Sequence, residues 1–154
     1  MPNDTSSEAQ RIVILVGLPG SGKSTYLERL GVTALSSDAI RLLLADDATD
    51  QTIHGRVFST LRYLLRQRLA IGKPVTYVDA THLTPKERRP YIKIAQKFSC
   101  QIEALFLDVP LEICLQRNRA RTRVVPEEAM RVMAAKLVPP TVNEGFSRVT
   151  VVRY

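Results

Sequence analysis

The sequence predicts one α/β domain built on a five-stranded parallel sheet flanked by helices, and three observations predict it. Short apolar runs alternate with helix-period patterns along the chain, the way parallel strands joined by helical crossovers are written. The first run, Ile12-Val13-Ile14-Leu15-Val16, is apolar without alternation, as a strand covered on both faces must be. The 154 residues contain no internal repeat, low-complexity tract or linker-like stretch, so residues 11–154 read as one domain.

Each element has a local cause. A strand over about 11–16 runs into the glycine-rich segment that begins at Gly17, and a helix follows that stops near Gly31. A short strand, about 33–35, leads to Ser36-Ser37-Asp38, where either serine can cap a helix reaching Leu44. Asp46 to Asp50 is an acidic connector. The longest helix is expected over about 51–71, with Ile53, Val57, Leu61, Leu64, Leu65 and Leu69 on one face. Gly72-Lys73-Pro74 ends it, and Val75 to Val78 form a strand closing at Asp79.

Thr84-Pro85-Lys86-Glu87 is a capping box with proline at the first helical position. Pro90 is expected to kink that helix or postpone its start. A strand over about 101–107 stops at Asp108-Val109-Pro110, and a helix over about 111–119 enters an arginine cluster. Pro126-Glu127-Glu128 opens a helix to about 137, and Arg148 to Val152 make the last strand. Residues 1–10 are polar and read as a disordered tail.

Composition narrows the setting. With 45% hydrophobic and 24% charged residues the chain has the balance of a soluble globular protein. Its longest apolar runs are far shorter than the ~20 residues needed to span a bilayer, and the N-terminus lacks the layout of a signal peptide. Cys100 and Cys114 lie in apolar surroundings without metal-type spacing and read as buried free thiols, which points to the cytoplasm. The net charge of +7 suits a polyanionic partner. The basic residues cluster: Lys86, Arg88, Arg89, Lys93 and Lys97 in one helix, then Arg117, Arg119, Arg121 and Arg123.

Residues 17–24, Gly-Leu-Pro-Gly-Ser-Gly-Lys-Ser, match the phosphate-binding loop pattern G-x-x-x-x-G-K-[ST] between a strand and a helix. This makes the fold a P-loop nucleoside-triphosphate-binding one. Gly17, Leu18, Pro19, Gly20, Ser21, Gly22, Lys23, Ser24 and Thr25 are expected to cradle ATP. Glycines let the backbone N–H groups turn inward into an anion nest, and the following helix aims its positive end at the phosphates. Lys23 is expected to reach the β- and γ-phosphates, and Ser24 to ligate Mg²⁺.

Other candidates fall after the remaining strands, where open parallel sheets bind ligands. Asp38 is expected as the general base for an acceptor hydroxyl; its place in a first helical turn also allows it simply to complement the helix dipole. Arg41, three residues on, shares its face and suits a substrate phosphate. Asp79 ends an apolar strand and is expected to support Mg²⁺. Arg117, Arg121 and Arg123 are read as an ATP-binding lid, with Arg121 also acting on the transferred group. His54 and His82 are weaker candidates; His82 adjoins this region and is read as a substrate contact, with no second histidine or cysteine at metal-ligand spacing.

With these residues placed, the chain resembles the kinase domain of polynucleotide 5′-hydroxyl kinases, and most of all the bacterial form fused to phosphatase and ligase modules. The likeness runs from Gly17 to Thr25, through Ser36-Ser-Asp-Ala-Ile-Arg41, Asp46 to Thr52, Gly72-Lys73 and Val78-Asp-Ala-Thr81. It continues in Arg117-Asn-Arg-Ala-Arg-Thr122 and Glu144-Gly-Phe146. The resemblance implies that Asp38 activates the 5′-hydroxyl, that Arg41 engages a substrate phosphate, and that Arg117 and Arg121 contact ATP or substrate phosphates. The counterpart of Arg123 is displaced by one position. Since the chain stops at Tyr154, the expectation is a free-standing kinase module.

Two other readings stand beside this one. Small P-loop kinases of the zeta-toxin-like kind phosphorylate smaller acceptors, such as a metabolite, nucleoside or nucleotide-sugar. A non-catalytic ATP-dependent switch is the third. A guanine-reading Asn-Lys-x-Asp segment is absent from the sequence, which argues against a regulatory GTPase.

Overall fold

A computed structural model describes residues 10–122 and 124–154. Five strands, β1 (Arg11–Val16), β2 (Ala34–Ser36), β3 (Val75–Asp79), β4 (Gln101–Asp108) and β5 (Arg148–Arg153), form one parallel sheet in the order β2-β3-β1-β4-β5. Between them, among the described residues, run α1 (Lys23–Leu30), α2 (Ser37–Ala45), α3 (His54–Ala70), α4 (Pro85–Lys97), α5 (Leu111–Arg119) and α6 (Glu127–Lys136). A 3₁₀ turn at Val142–Glu144 precedes β5. None of these helices is long and apolar enough to cross a membrane.

The strand order puts the switch point at β1. The chain leaves β1 for the edge strand β2, returns to β3 beside β1, then crosses to β4 on the other side. A crevice opens at the carboxyl end of such a strand because its two neighbours send their connections in opposite directions. Ser36 pairs in register with Asp79, so the ends of β2 and β3 are level and their loops emerge side by side.

The apolar run of β1 is buried on both faces. Ile12, Ile14 and Val16 pack with Val57, Leu61 and Leu65 of α3 and with Tyr91 and Ala95 of α4. Val13 and Leu15 pack on the opposite side with Leu27 of α1 and Leu105. A smaller cluster of Leu18, Leu83, Cys114, Leu115, Val125 and Met130 lies beneath the loop after β1.

Several expectations are corrected. The long helix begins at His54, three residues late, because Asp47 and Asp50 fold the connector into two turns: their carboxylates accept from Thr49 N at 2.9 Å and Thr52 N at 2.8 Å. α4 runs straight through Pro90, and the carbonyl left without an N–H partner is that of the exposed Lys86. Gln10, read as the end of a tail, is buried, and its side-chain amide donates to Leu69 O at 2.9 Å and Lys73 O at 3.1 Å. Residues 1–9 of that tail lie outside the described residues. Cys114 is buried and free as read, whereas Cys100 is only half-buried.

The basic cluster of α4 is divided. Arg88 is fully buried, with its Nε and Nη2 donating to the two oxygens of Glu144 at 2.8 and 3.0 Å and its Nη1 to His82 O at 2.8 Å. A guanidinium so occupied serves the fold, leaving Lys86, Arg89, Lys93 and Lys97 on the surface.

Candidate active site

The loop after β1 is shaped by contacts on both sides. Gly17 N donates to Thr81 O at 3.1 Å, and Ser21 N turns back to Leu18 O at 3.0 Å. Gly20 has φ +82, and a Cβ there would stand 2.6 Å from the carbonyl oxygen of Cys114, so only glycine lets α5 lie this close. α1 then starts without a side-chain cap and without an acidic residue in its first turn. By contrast, α2 is capped by Ser36 and carries Asp38, and α4 is capped by Thr84 and carries Glu87. The helix that follows the glycine loop is thus left uncapped by side chains, as α3, α5 and α6 also are, and its first-turn N–H groups have no intrahelical acceptor. Ser21 Oγ, buried beside Gly17, has no partner among the described residues.

The Lys23 ammonium donates to Gly17 O at 3.0 Å and Leu18 O at 2.9 Å, folded back over its own loop. Burial lowers its pKa to about 8, against the pull of the Asp79 carboxylate. Asp79 is raised above the ordinary carboxylate range by burial, and Lys23 opposes that shift. Ser24 Oγ donates to Asp79 Oδ2 at 3.4 Å. A hydroxyl and a carboxylate thus converge in front of the helix end.

Across from them, Asp38 and Arg41 form an i,i+3 pair on α2, with Oδ1 and Nη1 3.7 Å apart. Arg41 is buried, while the Asp38 side chain is about half exposed. All of these groups line one cleft of about 950 Å³. Apolar side chains also line it, Phe58 of α3 and Val124, Pro126, Ala129 and Met133 around the start of α6.

Two of the three arginines read as a lid are described. Arg117 Nη1 donates to Gly20 O at 3.3 Å, and its guanidinium lies 5.4 Å from the Tyr154 ring centre. Arg121 lines the cleft close enough for its charge to act on Lys23 and Asp79. Arg123 lies outside the described residues. Arg119 is tied to Glu127 at 2.6 Å.

Not every loop residue faces this cleft. Pro19, Gly20, Gly22, Lys23, Ser24 and Thr25 line it. The Leu18 side chain is buried in the cluster beneath the loop. Ser21 instead borders a second depression of about 460 Å³, shared with Thr25, Tyr26, Arg29, Arg117 and Tyr154. Gly22, Thr25 and Arg117 border both hollows, whereas Asp38 and Arg41 line only the first.

The two histidines exchange their expected places. His82 is buried outside the cleft, with φ +47, its Nδ1 donating to Leu15 O at 2.5 Å and its ring edge-on to Tyr91 at 4.9 Å. Burial lowers its pKa to about 4, so a neutral imidazole pins the loop after β3 to β1. His54, for which no site contact is expected from the sequence, lines the cleft with its Nδ1 3.3 Å from Arg41 Nη2. Sequence reading missed Phe58 altogether. The available signal was the His54/Phe58 i,i+4 pair, which extends the face of Leu61 and Leu65 to the N-terminal end of α3, where Phe58 is only partly covered by the core.

Comparison with known proteins follows the same lines. The family pattern described as AAA domain, AAA_33, matches residues 12–140. A bifunctional polynucleotide phosphatase/kinase from Schizosaccharomyces pombe is 30% identical over 148 residues, covering 93% of this chain and 33% of that protein. An L-seryl-tRNA(Sec) kinase from Methanococcus maripaludis is 25% identical over 136 residues, covering 84% of this chain and 53% of its own length. The chain therefore spans a third to a half of these two relatives. A candidate kinase from Chloroflexus aurantiacus superposes with a TM-score of 0.74 at 12% identity, over 95% of this chain and 89% of that one, a likeness of fold.

Proposed function

The chain belongs to the AAA_33 family of AAA domains, and on that premise we propose that it is an ATP- and Mg²⁺-dependent kinase that phosphorylates the 5′-hydroxyl of DNA or RNA. One observation carries the reading: a single cleft places Asp38 and Arg41 opposite Lys23, Ser24 and Asp79. A phosphate cradle without a carboxylate facing it would suit a switch, whereas this pairing supplies both halves of a transfer site.

The roles follow from the atoms. The uncapped start of α1 and Lys23 bind the triphosphate, and Ser24 with Asp79 would hold Mg²⁺, which neutralises charge on the phosphate oxygens. Asp38 accepts the proton of the acceptor hydroxyl. The hydroxyl oxygen then bonds to the γ-phosphorus as the bond to the β-phosphate oxygen breaks, leaving ADP. Arg41 holds an acceptor phosphate, and Arg117 and Arg121 steady the donor; the second depression beside Arg117 suits the donor's base. The apolar side chains that line the same cleft as Asp38, Phe58 among them, suit the flat face of an acceptor base. The two relatives described above are named for nucleic-acid acceptors, a polynucleotide and a seryl-tRNA, which favours this class over a small sugar.

The test is labelled ATP with a panel of 5′-hydroxyl DNA and RNA oligonucleotides. Transfer of label to their 5′ ends is expected, and its absence from protein that binds ATP overturns the proposal. Binding of the oligonucleotide should weaken with salt at a slope of about −0.7 per neutralised phosphate on a single strand. A flat salt response would point instead to a small acceptor.

Lys23 gives a second measurement. With its pKa near 8, about half of the ammonium groups are uncharged at pH 8, and a phosphate in the loop favours the charged form. ATP binding at pH 8 should take up about half a proton, read by calorimetry in buffers of different ionisation heat. The affinity should fall as pH rises above 8. Binding without proton uptake would mean that Lys23 does not meet the phosphates.

A further inference from the structure

We propose that His54 is a positioning residue that orients the Arg41 guanidinium toward an acceptor phosphate without neutralising it. The inference rests on the kinase reading above and extends it to a residue outside the motifs. Arg41 is 4% exposed, yet its held contacts are few. The ion pair with Asp38 is loose at 3.7 Å, and Nε is buried with no partner among the described residues. A buried guanidinium normally uses its donors fully, because an unmet donor in a low-dielectric site is costly. One so incompletely met keeps binding capacity for an anion.

The contact with His54 explains how such an arginine keeps one orientation. Guanidinium has five donors and no acceptor, so Nδ1 of His54, 3.3 Å from Nη2, must present its lone pair. His54 is therefore neutral in this contact, with its proton on Nε2. The ring also packs against the Phe58 ring one helical turn on, with centroids 4.7 Å apart. His54 also starts α3, where the helix dipole disfavours a second positive charge.

Chemistry at position 54 then becomes a choice of consequence. A carboxylate there would also accept from Arg41, but in a tight charge-assisted pair that competes with an incoming phosphate. A neutral acceptor fixes direction and leaves the charge unspent.

Three variants separate these effects. His54→Asn keeps a neutral acceptor near the Nδ1 position, His54→Phe keeps a ring and removes the acceptor, and His54→Asp keeps the acceptor but adds charge. With a 5′-phosphate-bearing inhibitor strand and a 5′-hydroxyl oligonucleotide as probes, His54→Phe and His54→Asp should raise the acceptor KM about tenfold or more. His54→Asn should stay within a few-fold of wild type, and ATP affinity should be unchanged in all three. Equal KM values across the series, or His54→Asn as poor as His54→Phe, would overturn the proposal.

A second readout does not depend on turnover. Long-range ¹⁵N–¹H correlation spectra of the whole chain should show His54 as the Nε2–H tautomer, and Arg41→Met should release it to a mixture. A His54 protonated on Nδ1 in the wild type would overturn the inference. If no oligonucleotide is phosphorylated, the kinase reading fails while the spectra still decide whether His54 holds Arg41.

Discussion

Asp38→Ala is expected to lower phosphoryl transfer by about 10²- to 10⁴-fold, the usual span for losing a positioned general base, while leaving ATP affinity nearly intact. The separation of the two effects comes from the layout of the cleft. ATP is expected to meet the loop, Lys23 and the start of α1, whereas Asp38 sits on α2 beside Arg41. The Asp38 charge acts on Lys23 and Asp79 only as a lesser influence after burial and their mutual attraction. Single-turnover transfer from labelled ATP, run beside equilibrium nucleotide binding, measures both quantities on one protein. Loss of nucleotide binding together with turnover would show that Asp38 belongs to the donor side. Unchanged turnover would leave it a helix-dipole partner, the alternative its position also allows.

Arg88→Ala is expected to be the most destabilising change outside the cleft, by about 3–5 kcal/mol. It strips the partner from Glu144, whose side chain is only 14% exposed and whose two oxygens receive the guanidinium fork. The loss spreads because Glu144 also accepts from Thr141 N at 2.9 Å and sets the turn that delivers the buried Phe146 and β5. For a domain of this length, that corresponds to a fall in Tm of roughly 10 °C, measured by circular dichroism. A fall of less than about 3 °C would refute the assignment. Arg88→Met with Glu144→Gln should recover part of the loss, since it removes the abandoned charge while the amide oxygen can still accept from Thr141 N.

How far the sequence disclosed this molecule varies with the range of each contact. The strands and the glycine loop are legible because their causes are local: apolar runs, turn residues and a phosphate motif within eight positions. The start of α3 was misplaced because two aspartates, poor signals in a helical pattern, bind their own backbone instead. Pro90 was over-weighted because solvent can satisfy the carbonyl it frees. Arg88 looked like a surface charge because its partner is 56 residues away, and no periodicity marks a buried arginine. His54 and His82 were ranked by closeness to motifs in sequence, whereas the fold turns one into the cleft and the other into the core. The pairing of Asp38 with Arg41 was legible because three residues on a helix share a face; the histidine that contacts Arg41 comes from another helix.

The close approach of Gly20 to the carbonyl of Cys114 has a consequence for the order in which the molecule is made. The most recognisable local motif is not locally determined: its curve is held by α5, and the Arg117 bond to Gly20 closes a span of 97 residues. β1, from which the loop springs, gains its second neighbour only when β4 has been added. Contacts of such long sequence separation form late, because chain closure must be met before they stabilise anything. A growing chain therefore carries residues 17–24 as an unshaped glycine-rich stretch through most of its synthesis. On the proposed reading, affinity for triphosphate should arrive late, with the segment that locks the loop, so nucleotide capture by a nascent chain would report that the far half of the sheet has closed.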